Sequence, residues 1–312
     1  MKAILLGLSL FPLVVFAGEK IDKQIDVPNG GTIFIENQRG DINITGWNKN
    51  VFKVSGELDD KADGYELKTS GDKTEFIVKM PRKMSWGNNG DGSKLTIFMP
   101  KSSALEFAGV NASVIAKELE NGAEVDVVNG EITVDTIVGN VKLTTVNGDV
   151  NAENLSGNIQ FETVNGEIND RQSSGELRFS AVNGDIKSIS SANDVRLENV
   201  NGDIDFTLSA IKNLRINTVN GEAEVHIKEL LKGGDVRFES VSGDAEFFFA
   251  ADVSAKFEIK AHANGKIINE LNSNKVQKAK YGPASDLEFS IHGGNANVEM
   301  DTISGRIELR KK

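Results

Sequence analysis

Seven acidic residues recur along the chain, each directly after a turn glycine: Glu131, Asp149, Glu167, Asp185, Asp203, Glu222 and Asp244. A row of carboxylates is a potential cation site, because Ca²⁺ takes its ligands from several oxygens at once. Exported β-rolls that bind Ca²⁺ do so through Gly-Gly-x-Gly-x-Asp turns. This chain lacks that pattern, since its acid follows the only glycine of the turn. Like charges about 5 Å apart in water repel by only about 0.9 kcal/mol per pair, so the row is tolerable without metal. Two readings stay open. One is a set of solvated turn acids. The other is a Ca²⁺-stabilised edge built from Glu131, Asp149, Glu167, Asp185 and Asp203.

A second row is basic: Lys142, Arg178, Arg196, Arg215 and Arg237, with Gln160 interrupting it and Glu162, Glu198 and Glu239 beside it. It reads either as a solvated sheet face with cross-strand ion pairs or as a flat surface that binds anionic polysaccharide. Asp170 falls in a row that is otherwise mostly apolar, next to Arg171. It reads as a strand end or bulge, or as the buried carboxylate of a polysaccharide-cleaving enzyme. His226, His262 and His292 are isolated and have no metal-ligand spacing. Neither a Gly-x-Ser-x-Gly elbow nor a phosphate-binding loop is present. With no cysteine, a thiol nucleophile is excluded. Trp47, Trp86, Tyr65 and Tyr281 could stack on sugars, but they form no row.

The acids owe their spacing to a repeat. Val-Asn-Gly begins at Val128, Val146, Val164, Val182, Val200 and Val219, in four steps of 18 residues and one of 19. The turn residues of its first five units are Asn129, Gly130, Asn147, Gly148, Asn165, Gly166, Asn183, Gly184, Asn201 and Gly202. A weaker turn sits midway in each unit, at Gly139-Asn140, Gly157-Asn158, Gly175-Glu176 and Asn193-Asp194. Each coil therefore holds two strands and two turns. That pattern predicts an all-β, single-stranded parallel β-solenoid with two sheets facing one core. Inward rows follow from the period of two: Ile132, Val150, Ile168, Ile186 and Ile204 in one strand, and Val141, Ile159, Leu177, Val195 and Leu214 in the other. In this reading the valine of each Val-Asn-Gly fills the core, the asparagine forms a ladder and the glycine takes a positive φ.

The rest of the chain frames the repeat. Met1–Ala17 reads as a secretory signal peptide, with Lys2 before an apolar run and cleavage before Gly18; an uncleaved anchor is the rival. Residues 18–108 read as an N-terminal β region capping the solenoid, 109–249 as the regular repeats, and 250–312 as irregular final coils with a C-terminal cap. Ser85–Ser93 reads as a loop, and Phe247-Phe248-Phe249 as an apolar patch inside or under the cap. No segment after the leader approaches the length of a membrane span. A net charge of −11 argues against nucleic acid or an anionic membrane as partner.

Several motifs carry a resemblance to a known family. They are Gly40-Asp41-Ile42-Asn43-Ile44-Thr45-Gly46-Trp47, Leu95-Thr96-Ile97-Phe98-Met99-Pro100-Lys101, the serial Val-Asn-Gly-Asp/Glu-Ile units and Asp301-Thr302-Ile303-Ser304-Gly305-Arg306-Ile307. Together they resemble the bacterial putative-adhesin family of β-strand-repeat proteins, a family of unknown function. The resemblance implies a single-chain β-solenoid and an envelope or surface location, and it brings no catalytic residues. The leading expectation is a non-enzymatic exported scaffold, in the periplasm or at the cell surface, whose partners are envelope or surface proteins or polysaccharide. A carbohydrate-active β-helix enzyme and a Ca²⁺-stabilised solenoid are the alternatives. Oligomeric state is left undetermined.

Overall fold

The computed structural model describes residues 18–81 and 91–312. The expected signal peptide, Trp86 and most of the Ser85–Ser93 loop lie outside them. Ser93 itself is no loop residue: it is buried and opens the strand Ser93–Pro100. Among the described residues every regular element is a β-strand. They form a parallel β-solenoid of two sheets.

One sheet carries the longer strands, such as Ser156–Asn165, Ser174–Asn183 and Ile211–Asn220. The other carries short ones, such as Val150–Glu153, Ile168–Arg171 and Ile186–Ser190. Neighbouring coils pair in parallel without slip: Ile159 lies beside Leu177, Gln160 beside Arg178 and Phe161 beside Phe179. Alternation explains the register. Ile159 and Phe161 are fully buried while Gln160 and Glu162 face out, and a slip of one residue would invert all four. Aromatic stacking continues the core along the axis, with Phe161 and Phe179 at 5.0 Å and Phe179 and Phe206 at 5.3 Å.

The first corner is Val-Asn-Gly, and it differs from expectation in two ways. The valines face out: Val128, Val146, Val164, Val182, Val200 and Val219 are 37–41% exposed. The buried corner position belongs to the preceding residue, for example Val127, Thr145 and Thr163. Nor is a positive φ the common reason for glycine: Gly130, Gly202 and Gly221 take one, at 147°, 137° and 124°, but Gly148, Gly166 and Gly184 do not. At Gly166 an added Cβ would lie 1.9 Å from the Gly148 carbonyl oxygen of the coil below. Stacked backbones meet there and leave no space for a side chain. The asparagine ladder is present. Each Nδ2 donates to the Oδ1 of the previous rung, from Asn129 onto Asn111 at 2.8 Å to Asn220 onto Asn201 at 3.0 Å.

In three coils the second corner is not where the sequence placed it, whereas Asn193 does lie in the bend between Ile186–Ser190 and Asp194–Asn201. Gly157-Asn158 and Gly175-Glu176 lie within strands. The chain turns three residues earlier, at Thr136, Asn154 and Gln172, whose φ values are 55°, 56° and 58°. That corner brings in a further buried row, Leu119, Ile137 and Leu155, followed by Ser173. The Val219 to Val241 unit is longer because Leu230–Ser240 bulges between the partners of Ile211 and Asn213.

Both ends are threaded as well as closed by the segments expected to cap them. Thr32–Glu36 and Arg39–Trp47 pair in parallel with Ala104–Leu119 on one side, and with Lys73–Lys79 and Ser93–Pro100 on the other. The N-terminal region thus continues the solenoid, with its first coil slotted between two later ones. At the far end Asn297–Thr302 and Arg306–Lys311 lie between Leu230–Phe249 and the coil of Ala255–Ala261 and Lys266–Asn269. Antiparallel strands close the ends: Lys20–Asp26, Val51–Glu57 and Gly64–Ser70 at one, and Ser285–Ile291 at the other.

Candidate interaction surface

Strand register brings the expected basic row together on the outside of the long-strand sheet, in the order Lys142, Gln160, Arg178, Arg196, Arg215, Arg237. It is not a bare cationic strip. Arg178 pairs with Glu176 at 2.5 Å and Arg237 with Asp235 at 2.8 Å; Lys142 reaches Glu124 at 3.9 Å. Arg196 and Arg215 have no carboxylate within ion-pair distance among the described residues. Acids flank the row on both sides, with Glu176, Asp194 and Asp235 two residues before it and Glu162, Glu198 and Glu239 two after. Along the axis it gives way to Glu124 and Glu106 at one end and to Glu299 and Glu258 at the other. The arginines are an island within carboxylates.

The acidic row lies along the start of the short-strand sheet, and much of it is occupied with the turn. Oδ1 of Asp149 accepts the Glu167 N–H at 2.8 Å. Oδ1 of Asp185 accepts the Asp203 N–H, and Oδ1 of Asp203 accepts the Glu222 N–H, both at 2.9 Å. Glu131 accepts from Asn151 at 2.7 Å. Glu167 pairs with Lys187 at 2.5 Å, and its hydrogen bond holds that ammonium above the ordinary lysine range. Asp244 pairs with Arg306 at 3.1 Å. Among the described residues no three His, Asp or Glu side chains converge as metal ligands. From Asp203 to Glu246 the same face is strongly acidic, with Asp205, Glu222, Glu224 and Asp244 about a shallow groove.

Asp170 sits inside the solenoid at 1% exposure, between Ala152 and Ser188 of the adjacent coils. Ser188 Oγ donates to it at 2.7 Å, and the Ser173 hydroxyl donates to its other oxygen. Burial pushes its carboxyl up to about 6, although both hydroxyls favour the charged form. It stands one residue from the end of the strand Ile168–Arg171, in regular register with both neighbours and so not at a bulge, and a polymer on the outside cannot touch it. Its neighbour Arg171 points outward into a shallow polar groove of about 510 Å³ lined by Lys117, Asp135, Asn151, Glu153 and Asn169.

The histidines and aromatics are dispersed. His226 bonds Glu224 at 2.7 Å and stacks on Phe248 at 4.3 Å; His262 pairs with Asp301 at 3.1 Å, and His292 Nδ1 donates to the Val253 carbonyl at 3.0 Å. Phe247 and Phe249 are core residues, but Phe248 faces out between His226 and Arg310. Trp47 stacks on Phe98 at 5.2 Å, Tyr65 packs on Phe76 at 5.9 Å, and Tyr281 is 85% exposed.

The surface feature that sequence reading missed is the line of outward valines. It continues through Val110, Val241 and Ile303 and runs beside the asparagine ladder. The alternation already carried the signal: in Ser156–Asn165 the period that buries Ile159, Phe161 and Thr163 sets Val164 on the outward phase with Gln160 and Glu162.

Residues 24–310 match the family model described as Toastrack DUF4097. No curated protein matches the chain. Among solved structures, it is similar to a putative lipid binding protein from Parabacteroides distasonis, at 15% identity and a TM-score of 0.44, covering 94% of this chain and 97% of that one. A putative adhesin from Parabacteroides merdae is 12% identical with a TM-score of 0.43, covering 94% and 96%. One from Bacteroides fragilis is 13% identical with a TM-score of 0.37, covering 93% and 97%.

Proposed function

This chain belongs to the Toastrack DUF4097 family, and on that premise we propose that it is a non-enzymatic, exported interaction scaffold of the bacterial envelope. The observation that carries this reading is the relation between core and surface. Asp170, the carboxyl group best placed in sequence for catalysis, is sealed between coils, whereas the outer faces repeat the same side-chain types rung after rung. A rod of that kind offers long, rigid binding surfaces at little conformational cost. Its partners are envelope or surface proteins. The polar groove beside Arg171 favours polysaccharide as a second class of ligand. No cofactor is needed for either.

Fractionation of cells followed by in vivo cross-linking tests the proposal. Recovery with periplasmic or surface partners is the expected result, and recovery in the cytosol with none would overturn it. Turnover of a polysaccharide that disappears in Asp170→Ala, with folding intact, would overturn the non-enzymatic part.

A further inference from the structure

The outward valines form a single apolar line along the Val-Asn corner. They are not needed for the turn, which the asparagine ladder and the glycine contacts already build. Exposed apolar side chains scattered singly need no explanation, but a contiguous line of them marks an interaction site. Next to it the asparagine amides bond one another at 2.8–3.1 Å, so covering them leaves few polar groups unpaired.

Charge selects the partner. On the long-strand side Asp126, Glu162, Glu198 and Glu239 lie two residues before their valines. On the other side the acidic row, Glu131 to Asp244, lies three residues after. Thr144, Ser180 and Asn217 alternate with the acids of the long-strand side, and on the other side Lys187 and Arg306 pair with Glu167 and Asp244. The line is thus a narrow apolar stripe between an interrupted and a continuous row of carboxylates, on a chain of net charge −11. A second copy would set acid against acid. The complement is an apolar stripe with cations on both flanks. Length admits a helix: the nine rungs, eight spacings of about 4.8 Å, span roughly 38 Å, which seven helical turns at about 5.4 Å cover.

We propose that the Val-Asn corner is a docking ridge for a basic amphipathic helix of a partner protein. This rests on the scaffold reading. The probe is a synthetic helical peptide of about 25 residues, with leucines at heptad a and d positions and lysines on both flanks. It is titrated against the exported chain by fluorescence anisotropy. We expect binding that weakens as salt is raised from low to high concentration. In Val164→Thr/Val182→Thr/Val200→Thr, which keeps the β-branched shape, affinity should fall about tenfold or more. In Glu162→Gln/Glu198→Gln it should fall by about threefold or more. Arg196→Ala/Arg215→Ala, which removes two cations beside the carboxylate flank, should bind no more weakly than the parent, and a loss there would overturn the assignment of charges.

Absence of binding, or equal binding by the triple threonine variant, would overturn the ridge. So would a parent dimer in sedimentation that the threonine variant loses, since a second copy would then cover the stripe. Cross-linking of parent and variant in cells separates the two readings. If both retain the same envelope partners while the peptide fails, the ridge falls and the scaffold stands. If neither retains any, both fall.

Discussion

At the scale of single residues, Asp170 and Gly166 show two different ways in which stacked coils constrain a side chain. Asp170 is a carboxyl group in an apolar row, satisfied by Ser173 and Ser188 yet held near 6 by burial. The folded state therefore binds its proton more tightly than the unfolded chain does. Stability from this group is greatest below pH 4, declines as pH rises towards 6 and is level above, with a total loss of about 3 kcal/mol. Asp170→Asn should raise the melting temperature at pH 7.5 and flatten the decline between pH 4 and 6, while changing little at pH 4; melts across pH check this. Gly166 is limited by space instead. In Gly166→Ala the new methyl would meet the Gly148 carbonyl at 1.9 Å, and nearby glycines repeat the constraint. Urea unfolding should show a loss of about 3 kcal/mol or more, with no such loss in the exposed Val164→Thr. The need for glycine was legible in the sequence, but its reason was not, because the contact is with a coil 18 residues away.

Elements show where periodicity stops being informative. Strand faces read correctly, since alternation is a local property of extended chain. The second corner did not. It turns on Thr136, Asn154 and Gln172, three residue types with no shared signature, held in the left-handed region near φ 55–58°. Thr136 is the least suited of the three, because a β-branched side chain is strained there. Thr136→Asn should raise stability by about 1 kcal/mol, read as an increase in melting temperature. The acidic edge is a similar case. Sequence spacing left it open to Ca²⁺, whereas the coil geometry commits one oxygen of Asp149, Asp185 and Asp203 to a backbone N–H of the next coil. Chelation by EDTA, or added Ca²⁺, should leave the melting temperature unchanged. The basic row was legible as a row. So was the reading of a face with ion pairs, since Arg178 pairs with Glu176 and Arg237 with Asp235 on the same strand. The acids that end the row, Glu124 and Glu106 on one side and Glu299 and Glu258 on the other, were not, because they reach it only through pairing of distant strands.

For the whole molecule the decisive feature is the threading of both ends. The last coil, residues 295–312, separates two coils that precede it in sequence and supplies the contacts between them. Deleting 295–312 should therefore detach the preceding coil as well as remove its own contacts. We expect a lower, less cooperative melt and self-association in sedimentation, because the uncovered strands present unpaired edges. A clean loss limited to one coil would contradict that linkage. The amino-acid sequence by itself determined the solenoid, its two strands per coil, the inward rows and the asparagine ladder, because all of these follow from an 18-residue repeat and a two-residue alternation. Tertiary structure alone decided where the second corner turns, that Asp170 is sealed, and in what order the end coils stack. Each of these depends on contacts between coils, and a periodic sequence places residues on rungs without saying which rung comes next.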